Sequence, residues 1–123
     1  MEIIPRDSGT DSVAAMLILA DRHELRSRAE ASCRECVLSA AAEGDLAGLI
    51  LEDVQAIFDW SALVFDHGIL SHPFVETRFG MYVADPVGHW FRGLRPIGHY
   101  RFITRLDGEV EDDYFILDEP RQA

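Results

Sequence analysis

The chain contains no lysine; all eleven of its basic residues are arginine. Schiff-base chemistry is thereby excluded, as is any mechanism that needs a lysine ammonium on a phosphate. Cysteine is scarce: Cys33 and Cys36 alone, in 123 residues, cannot build a disulfide framework. No run of about 18 uncharged apolar residues exists to cross a membrane. The opening MEIIPRDSGTDS carries Glu2, Asp7 and Asp11 where a secretory signal has a basic region, so a cytoplasmic, reduced location is expected. G-x-S-x-G, the phosphate loop G-x-x-x-x-G-K-[ST] and the zinc motif H-E-x-x-H are also missing. No cofactor and no bound metal are expected.

What the chain has in quantity is negative charge. Twenty-two acids against eleven arginines give a net charge of −11. Such a surface repels nucleic acid and favours a basic protein or protein complex as partner, with no direct nucleic-acid binding and no membrane; a homodimer stays open. The charge is uneven. Residues 74–105 hold five arginines and two acids, the only positive segment, whereas 106–123 hold seven acids and one arginine.

Hydrophobic periodicity divides the chain in two. TDSVAAMLILADRHELRSRAEASCRECVLSAAAEG predicts helix over about 11–43, capped at Thr10 or Asp11 and stopped by Gly44. Asp21 and Glu24 have capping-box spacing, so this helix either continues or breaks at Ala20 and restarts. In DLAGLILEDVQAIFDWSALVFDHG, Leu46, Leu49, Ile50, Val54, Ile57 and Val64 recur at helical spacing, which predicts a second helix over about 46–67. From Pro73 the period becomes two: VETRFGMYVA, HWFRGL, GHYRFITRL and EVEDDYFILD read as four strands. PVGHW at 86–90 and PIGHY at 96–100 echo each other at the spacing of two consecutive strand starts. In the last hairpin, a three-residue loop with Gly108 left-handed predicts Arg105 opposite Glu109, Arg101 opposite Asp113 and His99 opposite Phe115. The expected fold is one α+β domain over 1–123: an antiparallel helical pair at 11–67 packed on a four-stranded antiparallel β-meander at 74–118.

Three constellations could carry chemistry. Asp45, Glu52, Asp59 and Asp66 follow one another every seven residues, a stripe on one face if the segment is helical, extended by Asp112 and Asp113 of the acidic tail. With Trp90 and Arg95 at the open turn, these residues form the expected partner-binding surface. Asp112 and Asp113 cannot readily share one acid/base site, because adjacent strand residues point to opposite faces. The alternative is a small enzyme or ligand-binding protein in which His89, His99, Tyr100 and Arg92 line a pocket between sheet and helices. The third constellation, C-x-x-C at 33–36 with His67 and His72, has the ligand types of a zinc site, but on helices Cys36 and His67 would lie about 20 Å apart. Two reduced thiols on a helix face are expected there.

LADRHELRSRAEASC resembles the helical turn found after many BTB domains, and AAEGDLAGLILEDV resembles the opening of SnoaL-like polyketide cyclases. Each likeness is confined to one helical phrase and carries no residue role. The expected function is a small acidic binding protein, bacterial in its arginine-only composition, that inhibits or regulates a basic macromolecular partner through an anionic surface, in the manner of immunity or anti-defence proteins.

Overall fold

The computed structural model describes residues 8–46, 48–65, 68, 70 and 72–118. Two helices, α1 (Ser8–Arg22) and α2 (Leu25–Ala42), pack on a sheet of β1 (Gln55–Val64), β2 (Phe74–Ala84), β3 (Leu94–Arg105) and β4 (Val110–Leu117). The strands are antiparallel and neighbour one another in chain order. The architecture is the α+β meander with a helical pair, but its boundaries differ from the expected ones in three places.

The first helix breaks, at His23–Glu24 instead of Ala20. Glu24 takes a left-handed conformation (φ 51°) as the residue preceding α2, and no capping box forms. At the other end of α2, Gly44 (φ 74°) terminates the helix as expected. The amide of Asp45 donates to the Ala40 carbonyl and that of Gly44 to Ala41, the paired bonds of a Schellman cap.

The expected helix over 46–67 is not formed. After a 3-10 turn at Leu51–Asp53, residues 55–64 are strand β1. The misleading period has a physical source in a β-bulge at Asp59. Phe58 pairs with Phe79 and Trp60 with Arg78, leaving Asp59 as the extra residue. Leu46, Leu49, Ile50 and Val54 lie before the strand, in the loop and 3-10 turn, where spacings of three and four need no helix. The bulge then shifts the alternation of β1 by one residue, from Phe58 to Ser61 and Leu63 on the helix side, and so hides the period of two. With this strand at the front of the meander, HWFRGL is no strand. Residues 85–93 form a loop closed by the Asp85 amide on the Gly93 carbonyl (2.7 Å), with Arg92 left-handed (φ 61°) inside a 3-10 turn. The PVGHW echo therefore lies in a loop and PIGHY in β3.

The third difference is register. Gly108 is left-handed (φ 88°) and Arg105 donates its amide to Glu109, as expected at the turn. The His23 ring packs so closely on Gly108 that an added Cβ would stand 2.5 Å from Nδ1, which fixes the helix corner against this hairpin. Beyond the turn, Glu111 bulges between Thr104↔Val110 and Ile103↔Asp112, and every later pair moves by one: Phe102 faces Asp113, Arg101 faces Tyr114 and Tyr100 faces Phe115. A one-residue slip exchanges the two faces. Asp113 thus sits on the helix side of the sheet, and the expected pairing of Arg101 with Asp113 does not occur.

The core lies between α2 and one sheet face. Ala29, Cys33, Val37 and Ala40, at helical spacing, meet Phe79, Met81, Val83, Tyr100 and Phe102 from alternate positions of β2 and β3. Burial of these side chains supplies the dominant stabilisation. No helix among the described residues is long and apolar enough to cross a membrane.

Candidate functional site

A wide cleft opens where α1 meets this core. Val13, Met16, Leu17 and Ala20 fall at i, i+3, i+4 and i+7, one stripe of a helix, and line an open cleft of about 1010 Å³. Its other walls come from α2 and from the helix-side positions of β1 and β2: Phe58, Ser61, Leu63 and Val75. Although these apolar residues face a hollow, Val13 and Leu17 stay 60% and 66% exposed. The rim is polar and mostly acidic, with Asp21, Glu24 and Glu30 against a single Arg26. The Arg26 guanidinium is engaged, lying over the Phe58 ring at 4.3 Å, and Phe58 meets Phe79 edge-on at 5.7 Å. The result is an apolar floor, an aromatic wall and a negative lip.

The opposite sheet face has a different character. The register aligns Trp60, Arg78, Arg101 and Tyr114 in one row across all four strands. Arg78 stacks on Trp60 (4.6 Å) and Arg101 on Tyr114 (4.7 Å). Arg78 also pairs with Asp59 (3.3 Å), which accepts a second bond from the Tyr82 hydroxyl (3.4 Å). Arg101 pairs with Glu76 (3.4 Å), which also accepts from the Trp60 indole N–H (3.3 Å). His99 lies in the next row; burial first, and then Arg78 and Arg101, hold its imidazole below its ordinary pKa. Both arginines are engaged by a neighbouring acid and a ring, although the buried Arg101 Nε finds no hydrogen-bond partner among the described residues.

The residues expected to bind a partner are dispersed. Asp45 follows α2, Glu52 lies in the 3-10 turn, Asp59 is the bulge of β1 tied to Arg78 and Tyr82, and Asp66 lies outside the described residues. The seven-residue stripe needed one helix, and a strand replaces it. Asp112 and Asp113 do point to opposite faces: Asp113 accepts from the buried Tyr100 hydroxyl (2.8 Å), while Asp112 bonds the Tyr114 hydroxyl on the other face. The Trp90 amide donates to Asp85 (2.9 Å), and Arg95 stands opposite Val83 near the β2–β3 loop.

The alternative pocket is not assembled either. Tyr100 is fully buried against α2, whereas His99, its chain neighbour, is on the far face, and His89 and Arg92 belong to the 85–93 loop. Cys33 is a core residue whose thiol burial pushes up to about 12, with Cys36, Glu30 and Arg34 adding smaller effects. Burial and the nearby Asp113 also raise Cys36, 3.9 Å from that carboxylate. Both thiols are held protonated, unlike reactive thiolates. His67 lies outside the described residues, and His72 instead meets Glu111 at 2.9 Å. Among the described residues no group of three or more His, Cys, Asp or Glu is placed to hold a metal ion.

Sequence reasoning missed the cleft because a stripe at 13, 16, 17 and 20 is also what a core helix shows. The one available sign was the low side-chain volume of α2 after Leu25 (LRSRAEASCRECVLSAAA), which leaves little apolar surface for α1 to pack on. No family model, curated protein or solved structure matches the chain.

Proposed function

We propose that the chain is an acidic binding protein that holds a basic amphipathic segment of a partner protein in the cleft between α1, α2 and β1. The single observation that carries this is the pairing of an uncovered apolar stripe with an acidic lip in a chain of net charge −11. An amphipathic helix with lysine or arginine flanks matches both features at once, its apolar side on the floor and its cations against Asp21, Glu24 and Glu30. A compact small molecule is a poorer fit, since such ligands are held in sites that bury most of their surface. Occupying a partner's basic segment withholds it from its own target, a direct route to inhibition or regulation.

A fluorescent synthetic Leu/Lys amphipathic peptide is a suitable probe, read by anisotropy. It should bind with an affinity that falls as salt rises, and a Leu/Glu peptide of the same pattern should not bind. Leu17→Asp, at an exposed position, removes the burial of one leucine, and affinity should fall about tenfold or more. Glu30→Arg should weaken binding and flatten the salt dependence. Equal binding of both peptides, or unchanged affinity in Leu17→Asp, would overturn the assignment.

A further inference from the structure

The two edges of the sheet are treated differently. β4 ends the sheet with Glu111, Asp112 and Asp113 in an eight-residue strand, the kind of charge that keeps an edge from pairing. β1, the other edge, is ten residues long with one charged side chain, Asp59, which the Arg78 guanidinium and Tyr82 hydroxyl already engage. No strand among the described residues pairs with its outer side. Around it Trp60, Leu63 and Phe65 remain 44%, 41% and 76% exposed. The bulge at Asp59 blunts the first half of this edge, but residues 60–64 beyond it are regular and uncharged, and an exposed apolar edge of that kind recruits other strands.

We propose that β1 pairs antiparallel with β1 of a second copy of this chain, joining two four-stranded sheets into one of eight strands. Charge selects the occupant. Two copies at −11 repel over most of their surface, and they can approach where the charge is sparse and already neutralised, which describes the outer side of β1. An antiparallel strand edge is also self-complementary about a two-fold axis, the commonest symmetry of homodimers. The regular stretch beyond the bulge, residues 60–64, supplies a register. With Ala62 on the axis, Trp60 lies against Val64 of the second copy on one face, and Ser61 against Leu63 of the second copy on the other. Both are apolar or neutral contacts, and an aromatic against a β-branched residue is a favourable cross-strand pair. Ser61 and Leu63 also line the cleft, but the axis residue Ala62 lies on the opposite face and does not, so a substitution there tests the pairing without changing a cleft side chain.

Sedimentation of the full chain should give a mass near twice 13.8 kDa that falls toward 13.8 kDa on dilution. Ala62→Lys and Ala62→Glu each set like charges directly opposite one another across the axis and should sediment as monomers. Mixed in equal amounts, the two should recover the dimer, which neither a folding defect nor a contact elsewhere would produce. In the wild-type chain, amide exchange along β1 should slow as protein concentration rises, with β4 unchanged; this reading needs no variant to fold. A wild-type monomer at the highest soluble concentration, dimers that survive either substitution, a mixture that stays monomeric, or β1 exchange independent of concentration would each overturn the proposal.

Discussion

The bulge at Glu111 makes a quantitative claim about Asp113. In the register it creates, the Asp113 carboxylate turns under α2 and accepts the Tyr100 hydroxyl at 2.8 Å, while Ser32 bonds the same phenol oxygen. Tyr100 is fully buried, and burial together with the Asp113 bond pushes its ionisation well above the ordinary tyrosine range. The two ends of this bond are not equivalent. Asp113→Ala leaves a buried hydroxyl without its acceptor, a loss of about 1–3 kcal/mol. Tyr100→Phe removes the hydroxyl and leaves a carboxylate on an exposed edge strand where water replaces it, at about 1 kcal/mol or less. The double variant avoids the stranded hydroxyl, so the cycle should show coupling of about 1 kcal/mol. Urea unfolding measures these differences, and for a domain of this size each 1 kcal/mol also moves the melting temperature by about 4 °C. Had Asp113 paired with Arg101 across the open face, Asp113→Ala would cost about as little as a surface ion pair, below roughly 1 kcal/mol, with no coupling to Tyr100. An Asp113→Ala variant as stable as wild type, or an additive cycle, refutes the bulged register.

Two further expectations concern the sheet. The hydroxyls of Thr77 and Thr104, fully buried, find no hydrogen-bond partner among the described residues. Thr77→Val keeps the shape and removes the desolvated hydroxyl, so it should stabilise the fold by about 1 kcal/mol in urea unfolding; destabilisation would show that the hydroxyl is satisfied. His99, by contrast, links stability to pH. Its folded pKa lies below the unfolded value of about 6.5, so on acidification the unfolded chain takes the proton first. The stability from the neutral imidazole is therefore present above about pH 6.5 and lost as pH falls toward the folded value. His99→Gln should flatten the pH dependence of the urea midpoint between about pH 7 and 5; an unaltered slope would remove His99 as its source.

How much of this was legible depends on whether a single residue interrupts a period. The α2 stripe, the Gly44 stop and the strands around Phe79 and Phe102 follow directly from spacing, because the one irregularity in that pairing, at Ile97, lies before the alternating run that starts at Gly98. β1 was hidden by a loop and 3-10 turn whose apolar residues happen to fall at helical spacing, and by one bulged aspartate that interrupts the strand's alternation; the seven-residue acidic stripe rested on that helix. The final hairpin was right at Arg105 and Glu109 and wrong by one from Asp112 onward, again through one inserted residue. Bulges leave no compositional mark, so local pattern reads through them. The pocket of His89, His99, Tyr100 and Arg92 is not assembled for a simpler reason: adjacent strand residues cannot face one cavity, and the first copy of the echo, PVGHW, is a loop.

The relocation of the candidate site changes what the acidic surface is for. Asp45, Glu52 and Asp112 are exposed and scattered, far from forming one contact plane, and in the proposed function charges of that kind would act on approach, by attracting a basic partner over a distance. The three acids at the lip of the cleft stand beside the surface a bound segment would desolvate, where a charge determines how long the complex lasts. In the proposed dimer the same net charge would decide where two copies meet, because β1 is an edge whose one charge is already answered. On this view the composition that first suggested a broad anionic docking face instead sets the conditions under which two small apolar surfaces, the α1 stripe and the β1 edge, can be exposed without indiscriminate association.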